Sequence, residues 1–345
     1  MASLAVKYRP KTFEEISEQK AVMSILKNIC ESKEIENRNF LLIGSQGVGK
    51  TTAARVMANM LNDGVGSPIE IDAASHNGVD SIRSIVDEAR SYPIGMNYKV
   101  FIIDEAHTLS KQAWQVMLKT LEEGAGNSIF VFCTTNPENI PATILSRVQT
   151  FKLSKLSLKA IKERLLYVLG SELGSGRKIS WDEGAVEYIA KLANGGMRDA
   201  LTMLDTVLAY NSNISVETIM EALNLPSYDE YFSLLAAYAK KDNEKIATII
   251  HEAYNSGTNF VQWFEQFHSF VMNIVKFTLL RDISKTIIPS IYSEKIQTYT
   301  SAHTVVCLRL ANVLMSLLTD LKGTQYLEEV ALTHMCHIMK SKEKK

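Results

Sequence analysis

The 345 residues include only four cysteines, seven prolines and three tryptophans, and neither sign of charge prevails. Each shortage excludes something. Cys30, Cys133, Cys307 and Cys336 stand too far apart for a Cys-x-x-Cys metal pair, so free thiols in a reducing compartment are expected. His334, Cys336 and His337 form one imaginable metal corner, but helix faces collect such residues by chance. Lys and Arg number 37 against 38 Asp and Glu, a net charge of -1, so any nucleic-acid surface must be local. The opening MASLAVKYRPKTF has no uninterrupted apolar core or small-residue cleavage site, and no stretch reads as a membrane span of roughly 18 apolar residues. The expectation is a protein of the cytosol, with no membrane partner. Repeats and low-complexity tracts are missing too, apart from the short basic tail SKEKK.

What is present is a change of pattern near residue 153. Before it, the apolar runs FLLI (40–43), IEI (69–71), VFII (100–103) and IFVFC (129–133) alternate with helical spacings. Ala53, Ala54, Met57, Ala58 and Leu61 keep one such spacing, and Ile82, Ile85, Val86 and Ala89 another. Apolar strands separated by helices predict a parallel sheet covered on both faces. A further short stretch after Arg147, in ATILSRVQTF (142–151), also looks like a strand. Beyond Leu153 the strand signals stop. Helices follow, broken at GSELGSGRK (170–178), NGG (194–196) and NLPS (224–227). The expected division is an α/β domain over 1–153, a small helical domain over 154–224 and a longer helical domain over 225–345. Its aromatic segments YFSLLAAY (231–238) and FVQWFEQFHSFVMNIV (260–275) read as core stripes.

GSQGVGKTT (44–52) fits Gly-x4-Gly-Lys-Thr and stands between a strand and a helical run, where a phosphate loop belongs. Glycines such as Gly44, Gly47 and Gly49 let backbone N–H groups converge on phosphates, with the dipole of the following helix behind them. Lys50 would neutralise the β- and γ-phosphates of ATP, Thr51 would hold Mg²⁺, and Val48 and Thr52 complete the loop. KVFIIDEAH (99–107) ends a strand in Asp104, suited to Mg²⁺ through water, and Glu105, suited to polarising an attacking water. IFVFCTTN (129–136) ends in Thr135, which could bond a γ-phosphate or the water, or simply open a turn before Pro137. Arg198, in the first turn of an expected helix, opposes the helix dipole by ~0.3–1 kcal/mol and so wants an anion: Asp199, Glu183 or a phosphate. The letters DEAH also name a helicase family, but no second α/β domain follows residue 153.

Taken in order, YRPKTFEEI (8–16), EIDAASHNGVDSIR (70–83), IIDEAHTLSKQAW (102–114), MLKTLEE (117–123), TTNPENIPATILSR (134–147) and GGMRDAL (195–201) resemble the bacterial gamma/tau subunit of the DNA polymerase III clamp loader, over about residues 4 to 205. Small subunits of replication factor C are similar but fit less well. The resemblance implies an AAA+ P-loop ATPase with an α/β core, a three-helix lid and an all-α collar. It also implies assembly of five subunits into an open spiral around a sliding clamp and primer–template DNA. By the same resemblance Arg147 is a finger directed to the ATP of the adjacent subunit, Thr135 the γ-phosphate sensor and Arg198 the lid sensor. Tyr8, Arg9 and Pro10 lie where the family packs its adenine, although they could be a plain linker, and Lys119 falls on its subunit-interface helix. Family members grip DNA phosphates at the starts of two helices, here carrying Arg83 and the pair Ser110 and Lys111; a solvated Arg83 is the alternative. Asp87 follows Arg83 in the less favourable order for a helix ion pair, and His76 stands where many relatives are basic.

Two departures stand out. The four-cysteine zinc module of bacterial relatives is replaced by NDGVGSP (62–68), so no zinc is expected there, and Ser-Arg-Cys reads Ser-Arg-Val at 146–148. A divergent or phage-encoded clamp loader is the expectation. A long C-terminal extension for tethering polymerase is not expected. Competing readings are a non-hydrolysing stator of the same assembly and a branch-migration or initiator motor, though no DNA-reading winged helix is evident toward the C-terminus.

Overall fold

A computed structural model describes residues 3–32, 35, 39–124, 126–257, 259–299 and 301–336, without the side chains of 301 and 302. His337 and the SKEKK tail lie outside the described residues. The chain divides into two compact units, Met1–Arg177 with Ala193–Asp205, and Lys178–Leu192 with Thr206–Lys345.

The first unit is built on five parallel strands, β1 (Phe40–Ile43), β2 (Ile69–Asp72), β3 (Lys99–Asp104), β4 (Ser128–Thr134) and β5 (Gln149–Lys152). They lie in the order β2-β3-β4-β1-β5, and all five coincide with the stretches expected to be strands. Its helices are α1 (Leu4–Lys7), α2 (Lys20–Ser32), α3 (Lys50–Leu61), α4 (Val79–Ala89), α5 (Lys111–Glu123), α6 (Ala142–Leu145) and α7 (Leu158–Gly174).

The central strands β1, β3 and β4 read as continuous apolar runs because both faces of the sheet are covered there, whereas the edge strands β2 and β5 are partly exposed. Successive residues alternate between faces. Phe40 and Leu42 of β1, with Ile102 and Val131, meet Met23 and Leu26 of α2 and Ala53, Met57 and Leu61 of α3. Leu41, with Phe101, Ile103, Phe130 and Phe132, meets Ile82 and Val86 of α4 and Trp114 and Met117 of α5. Each buried Leu, Ile, Val, Phe or Met among them contributes about 1.5–3 kcal/mol by leaving water. This sandwich fixes the carboxyl end of β1 between β4 and β5, where ligands bind in open parallel sheets.

The expected break at 170–178 starts later than its first glycine: α7 runs through Gly170 to Gly174, and the chain leaves the helix over 175–179. Glu172 on its last turn is buried and hydrogen-bonded, which holds the turn despite two helix-weakening glycines. The breaks at NGG and NLPS are observed, lying before α9 (Met197–Tyr210) and before the helix that begins at Tyr228.

The second unit contains α8 (Glu183–Leu192), α10 (Val216–Ala222), α11 (Tyr228–Lys240), α12 (Asn243–Asn255), α13 (Phe260–Leu280), α14 (Ser293–Gln297), α15 (Ser301–Leu321) and α16 (Leu327–Met335). It also holds a two-residue parallel pair, β6 (Ser180–Trp181) with β7 (Asn213–Ile214), too short to leave an alternating pattern. Strand structure therefore does not end at Leu153. The aromatic stripes are core as expected: Phe232, Trp263, Phe264, Phe267 and Phe270 are all buried. One expectation fails on composition. His303–Leu321 is long and apolar enough to cross a bilayer, and 33% of that stretch is buried. Arg309, Asn312 and Ser316 interrupt the run and hid it in the sequence, while Leu310, Leu314 and Leu317 pack inside the unit.

Candidate active site

The loop after β1 is shaped by its glycines in two ways. Gly47 and Gly49 have φ of 72° and 107°, left-handed conformations that strain any side chain. Gly44 is needed for space: a Cβ there would stand 2.7 Å from the Leu153 carbonyl oxygen and 2.9 Å from Val48 Cγ2. Its N–H donates to Thr134 O at 3.2 Å, tying the loop to β4. Gly49 offers no side-chain cap to α3, so the first N–H groups of that helix are available to an anion. Lys50, with 6% of its surface exposed, donates from Nζ to the carbonyls of Gly44 at 2.8 Å and Ser45 at 3.0 Å.

Across from the loop, the end of β3 supplies the acids. Thr51 Oγ1 donates to Asp104 Oδ2 at 2.7 Å, an oxygen-only pair of the kind that suits Mg²⁺. Asp104 Oδ1 accepts the Glu105 N–H at 3.0 Å, and Glu105 has a φ of 46°. A non-glycine residue held in this region marks a constrained turn. Thr135 Oγ1 stands 3.3 Å from Glu105 Oε2 and donates at 2.6 Å to Asn136 Oδ1. His107 Nδ1 lies 3.3 Å from the same Glu105 oxygen and 3.2 Å from Thr134 Oγ1. His107, Thr134 and Asn136 were not singled out in the sequence; their adjacency to Glu105 and Thr135 was the available signal.

A cavity of about 330 Å³ joins the loop to distant parts of the chain. Its lining includes Tyr8, Arg9, Pro10, Gly47, Val48, Gly49, Lys50, Thr51, Thr52 and Arg198. Sequence reasoning did not single out Ile16, Met197 and Leu201, which stand within the segments 8–16 and 195–201, nor Leu156 and Arg164, which follow no motif; all five also line it. Gly44, Asp104, Glu105 and Thr135 are outside the lining, Asp104 being linked to it by Thr51. The start of α9 docks directly on the phosphate loop, with Met197 N donating to Gly47 O at 3.0 Å. Gly196 comes so close that its Cα is 3.1 Å from a Cβ built on Gly47. Arg198 is exposed, and among the described residues its guanidinium has no ion pair or hydrogen bond, with Asp199 or any other group.

Arg147 stands apart from this cavity. Its Nη2 pairs with Glu122 Oε1 at 2.5 Å, and its Nη1 donates to Thr143 O at 2.7 Å and Ser146 Oγ at 3.0 Å. Lys119 is largely exposed, 3.9 Å from Glu123. Ser110 caps α5, accepting from Ala113 N at 3.1 Å, and its own N–H donates to Asn77 O at 3.3 Å, which sets the beginnings of α4 and α5 side by side. Lys111 is exposed at the first position of α5. Arg83 pairs with Asp80 at 3.3 Å, whereas Asp87 pairs with Arg90 at 3.8 Å. His76 is exposed, with Nδ1 3.3 Å from Asp72 O.

Residues 66–157 match the family model described as DNA polymerase III, delta subunit, and residues 160–213 the model described as DNA polymerase III clamp loader subunit, ATPase lid domain. The DNA polymerase III subunit gamma of Buchnera aphidicola subsp. Acyrthosiphon pisum is 34% identical over 284 residues, 76% of each chain. The chain belongs to the DNA polymerase III gamma/tau family. Within this family, subunit gamma/tau of Mycoplasma genitalium is 30% identical over 84% of this chain and 52% of its own. Subunit tau of Bacillus subtilis is 37% identical over 60% of this chain and 39% of its own. The chain thus spans about half, or less, of the length of these two gamma/tau relatives. Among solved structures, the Thermotoga maritima RuvB Holliday junction branch migration motor superposes with a TM-score of 0.51 at 21% identity, covering 67% of this chain and 78% of that one. That likeness establishes the AAA+ P-loop fold.

Proposed function

We propose that this gamma/tau family member is the ATP-hydrolysing motor subunit of a sliding-clamp loader, which couples ATP binding and hydrolysis to placing the clamp on primer–template DNA. The observation that carries the reading is the single cavity lined by Tyr8–Pro10, the phosphate loop and Arg198, beside the Thr51–Asp104 and Glu105–Thr135 contacts. In this reading the loop N–H groups and Lys50 bind the β- and γ-phosphates, and Tyr8, Arg9 and Pro10 flank the adenine. Thr51 and Asp104 would hold Mg²⁺, which supplies charge neutralisation at the phosphates when bound. Glu105 orients and deprotonates the attacking water. Thr135 reports the γ-phosphate, and Arg198 brings the start of α9 to it.

Arg147 serves the ATP of a neighbouring subunit, where a guanidinium stabilises the charge spread over the γ-phosphate oxygens by ~10³–10⁵ in rate. Such a head-to-tail contact builds a ring or spiral rather than a two-fold dimer. Residues 1–153, 154–224 and 225–345 act as ATPase core, lid and collar. The adjacent starts of α4 and α5, with Arg83, Ser110 and Lys111, track DNA phosphates without reading sequence. The setting is the cytoplasm of a bacterium or of a phage-infected cell.

ATP turnover measured with primed DNA, with and without clamp, tests the reading. Stimulation by both together is expected. No turnover in the assembled complex would identify a stator, and turnover on DNA indifferent to the clamp would identify a branch migrator.

A further inference from the structure

We propose that Glu172 of α7 is a positioning residue for the base-binding end of the cavity, acting through Tyr8. The proposal rests on the reading of that cavity as an ATP site.

Glu172 is a carboxylate only 7% exposed, which is tolerated only when the charge is paired and hydrogen-bonded. Its Oε1 accepts from Tyr8 OH at 2.8 Å and from Lys7 Nζ at 2.6 Å, and its Oε2 faces Arg177 Nη1 at 3.4 Å. The Lys7 hydrogen bond, against the opposing effect of burial, holds the carboxyl below its usual range. Two of its three partners are consecutive residues that lead into the cavity lining Tyr8, Arg9 and Pro10.

The segment cannot hold this position alone. α1 is a single turn, and an isolated turn of helix is unstable. The hydrogen bonds that tie it to the rest of the unit run to α7 and α9. Leu4 N donates to Asp205 Oδ2 of α9 at 3.3 Å, and Tyr8 O accepts from Arg164 Nη2 of α7 at 2.7 Å. Tyr8 also meets the Tyr167 ring edge-on at 6.4 Å. Glu172 is the tie that fixes the Tyr8 side chain by its hydroxyl. The phosphate loop, by contrast, is positioned by β1, β4, α3 and the start of α9, and none of its hydrogen bonds runs to Glu172. The two ends of the cavity are therefore separable: losing Glu172 releases the wall for the base and leaves the phosphate cradle.

The test is calorimetric titration of the full chain with two probes, ATP and inorganic tripolyphosphate, each with Mg²⁺. Glu172→Ala is expected to weaken ATP binding on the order of 10- to 100-fold, the worth of charge-assisted hydrogen bonds, with tripolyphosphate binding unchanged. Glu172→Gln, which keeps the volume and an acceptor oxygen, should lose less, and it carries the test if the alanine variant does not fold. Tyr8→Phe should weaken ATP binding alone and add nothing in the Glu172→Ala background. Unchanged ATP affinity in Glu172→Ala, equal weakening of both probes, or an additive Tyr8→Phe effect overturns the proposal. A wild-type chain that binds neither probe instead overturns the nucleotide-site reading, and the proposal with it.

Discussion

Replacing Gly44 with alanine separates two reasons for a glycine in a phosphate loop. The added methyl would lie 2.7 Å from Leu153 O and 2.9 Å from Val48 Cγ2. Val48 can turn, but the Leu153 oxygen belongs to backbone. Leu153 N donates to Ile43 O at 2.7 Å, and the preceding pair Ile43 and Lys152 is the last in the β1–β5 register. Relief requires β5 to slide or the loop to lift. Overpacking of this kind costs about 1–3 kcal/mol. At about 2–4 °C per kcal/mol for a domain of this size class, melting should fall by about 2–12 °C. Gly49→Ala is the contrast: its φ of 107° strains a side chain, yet the nearest neighbour is Ile16 Cγ2 at 4.0 Å. Its cost, about 1–2 kcal/mol, stays local to the start of α3. Thermal melts followed by circular dichroism should show both variants destabilised. Hydrogen exchange at the amides of β5 and Leu153 should quicken only in Gly44→Ala. If Gly44→Ala melts with the wild type and β5 keeps its protection, the steric argument is wrong.

Arg147→Ala should leave ATP affinity nearly intact while turnover in the assembled complex falls by ~10³–10⁵; parallel titration and steady-state assays check both halves. Asp104→Asn keeps the hydrogen bond to Thr51 but removes a charge, so the Mg²⁺ concentration for half-maximal turnover should rise, read from a metal titration. Glu14 is held down to about 2 chiefly by the Lys27 ammonium at 2.5 Å, against an ordinary 4.5. A depressed carboxyl stabilises the fold above its unfolded value and ceases to as pH falls through its folded one. The difference in melting temperature between the wild type and Glu14→Gln should therefore close between pH 4.5 and about 2. Burial pushes the Cys30 thiol to about 12, Cys307 to about 11 and Cys133 well above its usual value, so iodoacetamide should label half-buried Cys336 first in the native chain, by peptide mass mapping.

The central strands of the first unit were legible because both faces of the sheet are buried there, which leaves apolar runs such as Phe40–Ile43 and Ile129–Cys133, while the edge strands β2 and β5 carry a weaker signal. The phosphate loop and the Asp104–Glu105 pair were legible for a different reason. Their chemistry depends on backbone shape and a strand end, both local. Strands β6 and β7 were not, since two residues carry no period. Nor was the persistence of α7 through its glycines, which depends on Glu172 finding Lys7 and Tyr8 more than 160 positions away. Asp87 looked like the neighbour of Arg83, yet Asp80, three residues earlier, takes that place.

By itself the sequence determined the alternation of strands and helices in the first unit, the loop that bends on its glycines, and the residue types able to hold a triphosphate. Each of these is set within a few neighbouring residues, by φ/ψ preference and apolar period. Only the tertiary structure decided that Met197 donates to Gly47, that Arg164 and Glu172 hold Tyr8, and that Gly44 must be bare to admit the Leu153 carbonyl. These contacts join segments far apart in the chain. They exist only after burial of the two apolar faces has brought those segments together.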